Sequence, residues 1–420
     1  MLLRQVGAVA LAAAFMGCGV PRKVELEGFA LWDKPVVDAP HIAIDLAWAR
    51  KMGRGGAERF AKLRPEENGK GLYLADRDGW VTVYDTATGR AQWVRHFDVA
   101  MSSGPHLVND RVLLGTGAAE VIALARDDGH LLWRSQVSSE VLSPPQGNND
   151  WVVVQTVDGR VYGLRAKDGQ RLWTYDRTVP VLSLRGTSAP LVLNDKVIVG
   201  FDNGKLVALA LADGKLIWEQ AVATPQGRTD LERMVDIDGE LASDGQYVYA
   251  VSYQGKIAAL TLDTGRVVWS RDMSAFQGSI RVDNQLYVVD EKGVLWSLDR
   301  ETGTALWRQD LLKGNTSTGP VWQDGLLAVG TRSGQIYWFN VADGAVVGQF
   351  TYRDLVNKVE EDGNVTTTID PLTPEDLAHV FEETDVVANP VVQGKYLFVQ
   401  YRNGVVASVA VPKVNKATRP

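Results

Sequence analysis

The sequence predicts an all-β fold: an eight-bladed β-propeller of four-stranded antiparallel blades, closed by an N-terminal strand pairing with the C-terminal blade. Three observations predict it. First, a Gly-x-x-x-Trp signature, usually led by Asp, runs along most of the 420 residues as Gly89 with Trp93, Gly129 with Trp133, Gly169 with Trp173, Gly214 with Trp218, Gly265 with Trp269 and Gly303 with Trp307. A seventh copy, Asp343-Gly344, reaches Gly348 where the Trp would stand. Second, the steps between these glycines are 40, 40, 45, 51, 38 and 41 residues, the period of a propeller blade. Third, another glycine recurs about ten residues upstream, from Gly79 through Gly159, Gly204, Gly255, Gly293 and Gly334 to Gly404, and is missing only near Glu120. Counting that turn gives eight units.

Each unit then resolves into elements. Prolines 105, 145, 190, 320 and 390 open a first strand, where a missing N–H removes no ladder bond. The upstream glycine turns one hairpin and the Asp-Gly or Thr-Gly step turns the next, because such turns need φ > 0. The Trp strand closes the unit. Repeated at matching sites, the indole suits a seam between neighbouring blades, where burying it contributes roughly 2–3 kcal/mol. The last unit lacks an outer strand. Residues 396–410 supply its inner part, and Ile42-Ala-Ile-Asp-Leu-Ala-Trp48 has a Trp in the required place. Joining both ends in one blade removes open sheet edges.

Residues 1–17 read as a signal peptide: Arg4, then an apolar run from Val6 to Met16 that is too short for a permanent membrane helix. Phe15-Met16-Gly17-Cys18 resembles a bacterial lipobox, which implies acylation at Cys18 and stable anchoring by more than one acyl chain. Gly19 rather than Asp implies the outer membrane. The same residues also fit an ordinary secretion signal followed by a stray cysteine. The expected organisation is a tether over 18–40, the propeller over 41–411 and a tail over 412–420. An insert over about 351–389 interrupts the repeat. Its stretch 354–385 has ten Asp/Glu and one Lys, and Thr373-Pro374-Glu375-Asp376 reads as a helix start. It fits a solvated loop or a partner-facing finger.

The formal net charge is −7, with no basic cluster interleaved by aromatics, so the composition implies no nucleic acid partner. The five histidines lack metal-ligand spacing, and neither a Gly-x-Ser-x-Gly elbow nor a phosphate loop occurs. The sequence therefore offers no catalytic residue, metal site or cofactor site. The repeat resembles that of pyrroloquinoline-quinone dehydrogenases, which pair it with a vicinal disulfide that the lone Cys18 cannot supply. A periplasmic quinoprotein dehydrogenase, or a propeller that binds sugar or peptidoglycan in its channel, stands as the alternative.

Lipobox and eight-unit ring together resemble the BamB family, lipoproteins of the outer-membrane β-barrel assembly (Bam) complex. The most specific stretches are Val181-Leu-Ser-Leu-Arg-Gly186 and Glu232-Arg-Met-Val-Asp-Ile-Asp238. The resemblance implies a non-catalytic scaffold that contacts the POTRA domains of the barrel insertase BamA through Leu182, Leu184, Arg185, Asp236 and Asp238. It also implies association with other Bam members and with unfolded outer-membrane proteins. In an extended segment Leu182 and Leu184 share one side, as do Asp236 and Asp238. The same alternation fits leucines inside a blade strand and aspartates that cap turns.

Overall fold

In each repeat, the residue before the signature Trp is squeezed out of the ladder, and this fixes how the blades meet. The computed structural model describes residues 42–53, 63–177, 186–355, 384–386 and 388–411. Among them the chain forms eight four-stranded antiparallel sheets, seven of them simple meanders. Blades one to seven span 66–96, 106–136, 146–175, 191–221, 242–272, 279–309 and 321–351. Blade eight combines Val391–Gln393, Tyr396–Gln400 and Val405–Ala410 with an outer strand Asp45–Lys51 from the other end of the chain. In that pair Trp48 lies opposite Ser408.

In blade three, Trp173 pairs with Gly163 and Arg171 with Leu164, leaving Leu172 bulged. Equivalent shifts place Leu132, Ile217, Val268 and Leu306 outside their ladders, and these are among the large apolar side chains left exposed. A bulge re-aims the next side chain. Here it swings the Trp sideways onto the following blade.

The seam follows one rule. The Trp173 indole N–H donates to the Leu211 carbonyl at 2.8 Å, three residues before Gly214. The same three-residue offset links Trp93 to Arg126, Trp133 to Ala166, Trp218 to Leu262, Trp269 to Arg300 and Trp307 to Val341. Across the ring closure, Trp48 donates to Thr86 at 3.0 Å. The ring of each indole lies on the glycine that follows. Gly89, for example, has φ +65° and no room for a methyl group, which would meet Trp48 carbons at 2.6–2.9 Å. The glycine is therefore required twice, for its left-handed backbone and for its missing side chain.

The seventh seam departs from this rule for a visible reason. Blade eight has no turn joining its third and outer strands, because those strands come from opposite ends of the sequence, so no glycine shelf follows Gly348. The pair is inverted: Gly348 faces Trp338 across the ladder, and Trp338 is fully buried with its N–H on Gln323 Oε1 at 3.0 Å. Ile42 and Ile44 pack against Gly348.

The upstream turns also depart from the expected glycine in two blades. Ala119 takes φ +62° where blade two has none, and in blade five the left-handed residue is Gln254 (φ +47°) rather than Gly255. The helix start at Thr373 lies outside the described residues.

Candidate functional site

The long step between Trp218 and Gly255 holds the segment that the sequence singles out. After the outer strand of blade four (Leu216–Ala221), the chain passes the hairpin turn at the end of the blade, with Val222 and Ala223 N–H both donating to Gly204 O at 2.8 and 3.1 Å. It then projects a short turn held by a reciprocal cap. Glu232 Oε2 accepts from Arg228 N at 2.7 Å and Thr229 N at 3.2 Å, while Thr229 Oγ1 accepts from Glu232 N at 3.2 Å. These backbone donors hold the Glu232 carboxyl below its usual range. The turn lifts Leu231 into solvent, 60% exposed.

Beyond the turn the chain dives inward. Met234, Val235, Asp236, Ile237 and Asp238 are all buried. Ile237 joins the apolar core shared by blades four and five, beside Ile198 and Val248. Its N–H donates to Phe201 O at 3.3 Å, and Asp236 O accepts from Tyr253 N at 2.8 Å. Asp236 and Asp238 thus stand on a stretch locked to both blades, and their carboxylates lie within the ring rather than on its surface.

Of the other sequence-derived residues, Leu182, Leu184 and Arg185 lie outside the described residues, as does Cys18. Gly186, the next residue after Arg185, is described. A methyl group there would lie 3.0 Å from an Asp238 carboxylate oxygen, so the two family stretches come together at this point. The chain leaving Gly186 is anchored: Thr187 Oγ1 bonds Ser143 Oγ at 3.0 Å, and Ser188 Oγ accepts from Gly200 N at 3.1 Å.

The innermost strands surround an axial cavity of about 560 Å³ lined by residues of mixed character. Arg64 Nη1 donates to both carboxylate oxygens of Glu240, at 2.8 and 2.7 Å. His106 Nδ1 lies 3.1 Å from Glu66 Oε2. Sequence reasoning missed Arg64 and Glu240. The available signal was position: Arg64 precedes Pro65 just as Gly104, Pro144, Ala189, Gly319 and Asn389 precede their prolines, a place otherwise held by short, uncharged residues.

No group of three His, Cys, Asp or Glu side chains able to hold a metal occurs among the described residues. Asp76 is fully buried, and burial pushes its carboxyl up to about 6. It caps a hairpin: Oδ1 accepts from Asp78 N at 3.0 Å and Trp80 N at 2.9 Å, while Oδ2 is buried without a hydrogen bond. A carboxyl whose folded pKa exceeds its unfolded one favours the fold at low pH. That contribution is complete below about pH 4 and is lost as pH rises through 6. Asp76→Asn keeps the cap but cannot ionise. It is expected to stabilise the ring by about 1–2 kcal/mol at neutral pH and not at pH 4, measured by urea unfolding at both.

The sequence profile described as "Outer membrane protein assembly factor BamB" matches residues 77–309 and 291–411. Proteins of that name are similar over most of their length. The Escherichia coli K12 protein is 36% identical over 313 residues, 72% of this chain and 80% of its own. The Pseudomonas aeruginosa protein is 35% identical over 355 residues, covering 84% and 90%.

The chain belongs to the BamB family.

Among solved structures, BamB from Moraxella catarrhalis superposes with TM-score 0.73 at 23% identity, covering 88% of this chain and all of that one. A quinohemoprotein alcohol dehydrogenase from Pseudomonas putida HK5 gives TM-score 0.66 at 12% identity, covering 90% and 77%. Both likenesses bear on the fold alone. It is the BamB sequences that carry the family, and they are named as assembly factors rather than dehydrogenases.

Proposed function

We propose that the ring is a non-catalytic scaffold of the outer-membrane protein assembly machinery. It binds the POTRA domains of the barrel insertase BamA and aids the folding and insertion of β-barrel proteins. The observation that carries this reading is the meeting of the two family stretches at Gly186 and Asp238, on a chain whose relatives bear the assembly-factor name.

In this reading Leu182 and Leu184 form an apolar anchor and Arg185 offers a guanidinium at its edge, a composition common among interface hot spots. Asp236 and Asp238, the other two contact residues, stand with buried side chains on the stretch that meets Gly186. Acyl groups on Cys18 tether the ring to the outer membrane, facing the periplasm. Other Bam members and unfolded outer-membrane proteins are further partners. No bond is made or broken: the ring holds the POTRA array in one orientation.

The test is a pull-down from detergent-solubilised envelope with the full-length lipoprotein as bait. Recovery of a large barrel protein bearing POTRA domains is expected. Recovery of the bait without it, or quinone-dependent turnover by the purified ring, would overturn the reading.

A further inference from the structure

Ladder register allows the eight innermost strands to be compared position by position. Glu66 lies opposite Tyr73 in blade one, and Ala242 opposite Tyr249 in blade five. Two residues before these pairs stand Arg64 and Glu240. At the same register the other blades carry Gly104, Pro144, Ala189, Gly278, Gly319 and Asn389. Two long, oppositely charged side chains therefore occupy one level of the axis, and the other six positions hold small or short residues.

Blade one and blade five are four steps apart in either direction around a ring of eight, so they face each other across the axis. The pair, in which Nη1 alone donates to both oxygens at 2.8 and 2.7 Å, spans the cavity between them. Its side chains remain 36% and 40% accessible to channel water.

Glu240 follows Asp238 by two residues, and its backbone has little freedom. It bridges Gly278 in parallel register, and a methyl group on Gly239 would lie 2.6 Å from Gly278 N. A displacement at Glu240 therefore passes along the chain to Asp238 rather than dissipating in a loose loop. We propose that Arg64 is a positioning residue for the docking segment. It reaches across the axis, holds Glu240 and through it fixes the 236–240 stretch on which Asp236 and Asp238 stand. This inference rests on the docking reading given above.

A water-facing pair adds little to global stability. Its effect on the docking surface is expected to be larger than its effect on unfolding, which separates positioning from a structural role. The test titrates the full-length chain with a purified POTRA fragment and follows urea unfolding of the same variants. Arg64→Ala and Glu240→Gln are each expected to weaken binding about 3- to 30-fold with the unfolding midpoint nearly unchanged. The charge swap Arg64→Glu with Glu240→Arg is expected to recover most of the loss. Unchanged affinity in Arg64→Ala, with Arg185→Ala still abolishing binding, would overturn the strut and leave the docking reading intact. If Arg185→Ala also leaves affinity unchanged, the docking reading itself falls. Failure of the swap to rescue would likewise overturn the strut.

Discussion

Gly169→Ala is expected to destabilise the ring by about 3 kcal/mol, far more than the added methyl would cost on a strand face. Two terms act together. Gly169 sits at φ +70°, where a side chain costs roughly 1–2 kcal/mol. The methyl would also be driven into the six-membered ring of Trp133, and overpacking a filled core costs about 1–3 kcal/mol. Trp133→Ala alone removes a buried indole and its 3.0 Å bond to Ala166, a loss of about 3–5 kcal/mol. In that background Gly169→Ala should retain only the backbone term, so the pair should fall short of additivity by about 1–3 kcal/mol. The measurement is a double-mutant cycle by denaturant unfolding. Strict additivity would mean that the glycine does not serve as the shelf for the indole.

The second large effect concerns affinity. Leu182→Ala with Arg185→Ala is expected to weaken binding to the POTRA fragment by about 100-fold or more. Truncating a central hot-spot residue commonly costs about 2 kcal/mol, and each 1.4 kcal/mol is tenfold. The folded state should be nearly unaffected if these side chains serve the interface. Asp238→Ala provides the contrast. Its carboxylate is buried beside Gly186, so the variant should lose stability and affinity together. A double variant that still binds within threefold of wild type removes Leu182 and Arg185 from the interface.

Most of the architecture was legible because one local device encodes both a blade and its neighbour. A Gly-x-x-x-Trp spacing sets a left-handed turn, a bulge and a sideways indole, and the next glycine receives it. The parts that were not legible depend on register. Gly348 looks vacant in sequence, yet Trp338 faces it across the ladder and Ile42 and Ile44 cover it. Gln254 takes the turn conformation that Gly255 would be expected to hold, since two adjacent residues can exchange that task. Alternation predicts that Asp236 and Asp238 share one side, but alternation alone cannot say whether a side is wet or dry, and Met234 to Asp238 are buried throughout. Arg64 and Glu240 carry no local motif and become partners only once opposite blades share an axis.

The pairing of Asp45–Lys51 with Val405–Ala410 has a consequence for how the molecule is made. Seven sheets need only segments near one another in the sequence, and each can form as soon as its own hairpins have emerged. The eighth must wait for strands from opposite ends, the kind of long-range contact that slows folding. Until then its sheet lacks one member, and the seam that Trp48 completes on Gly89 stays open. The pairing of these two strands is thus the clasp, and a chain cut between them and the rest of the ring would remain an unfastened circle.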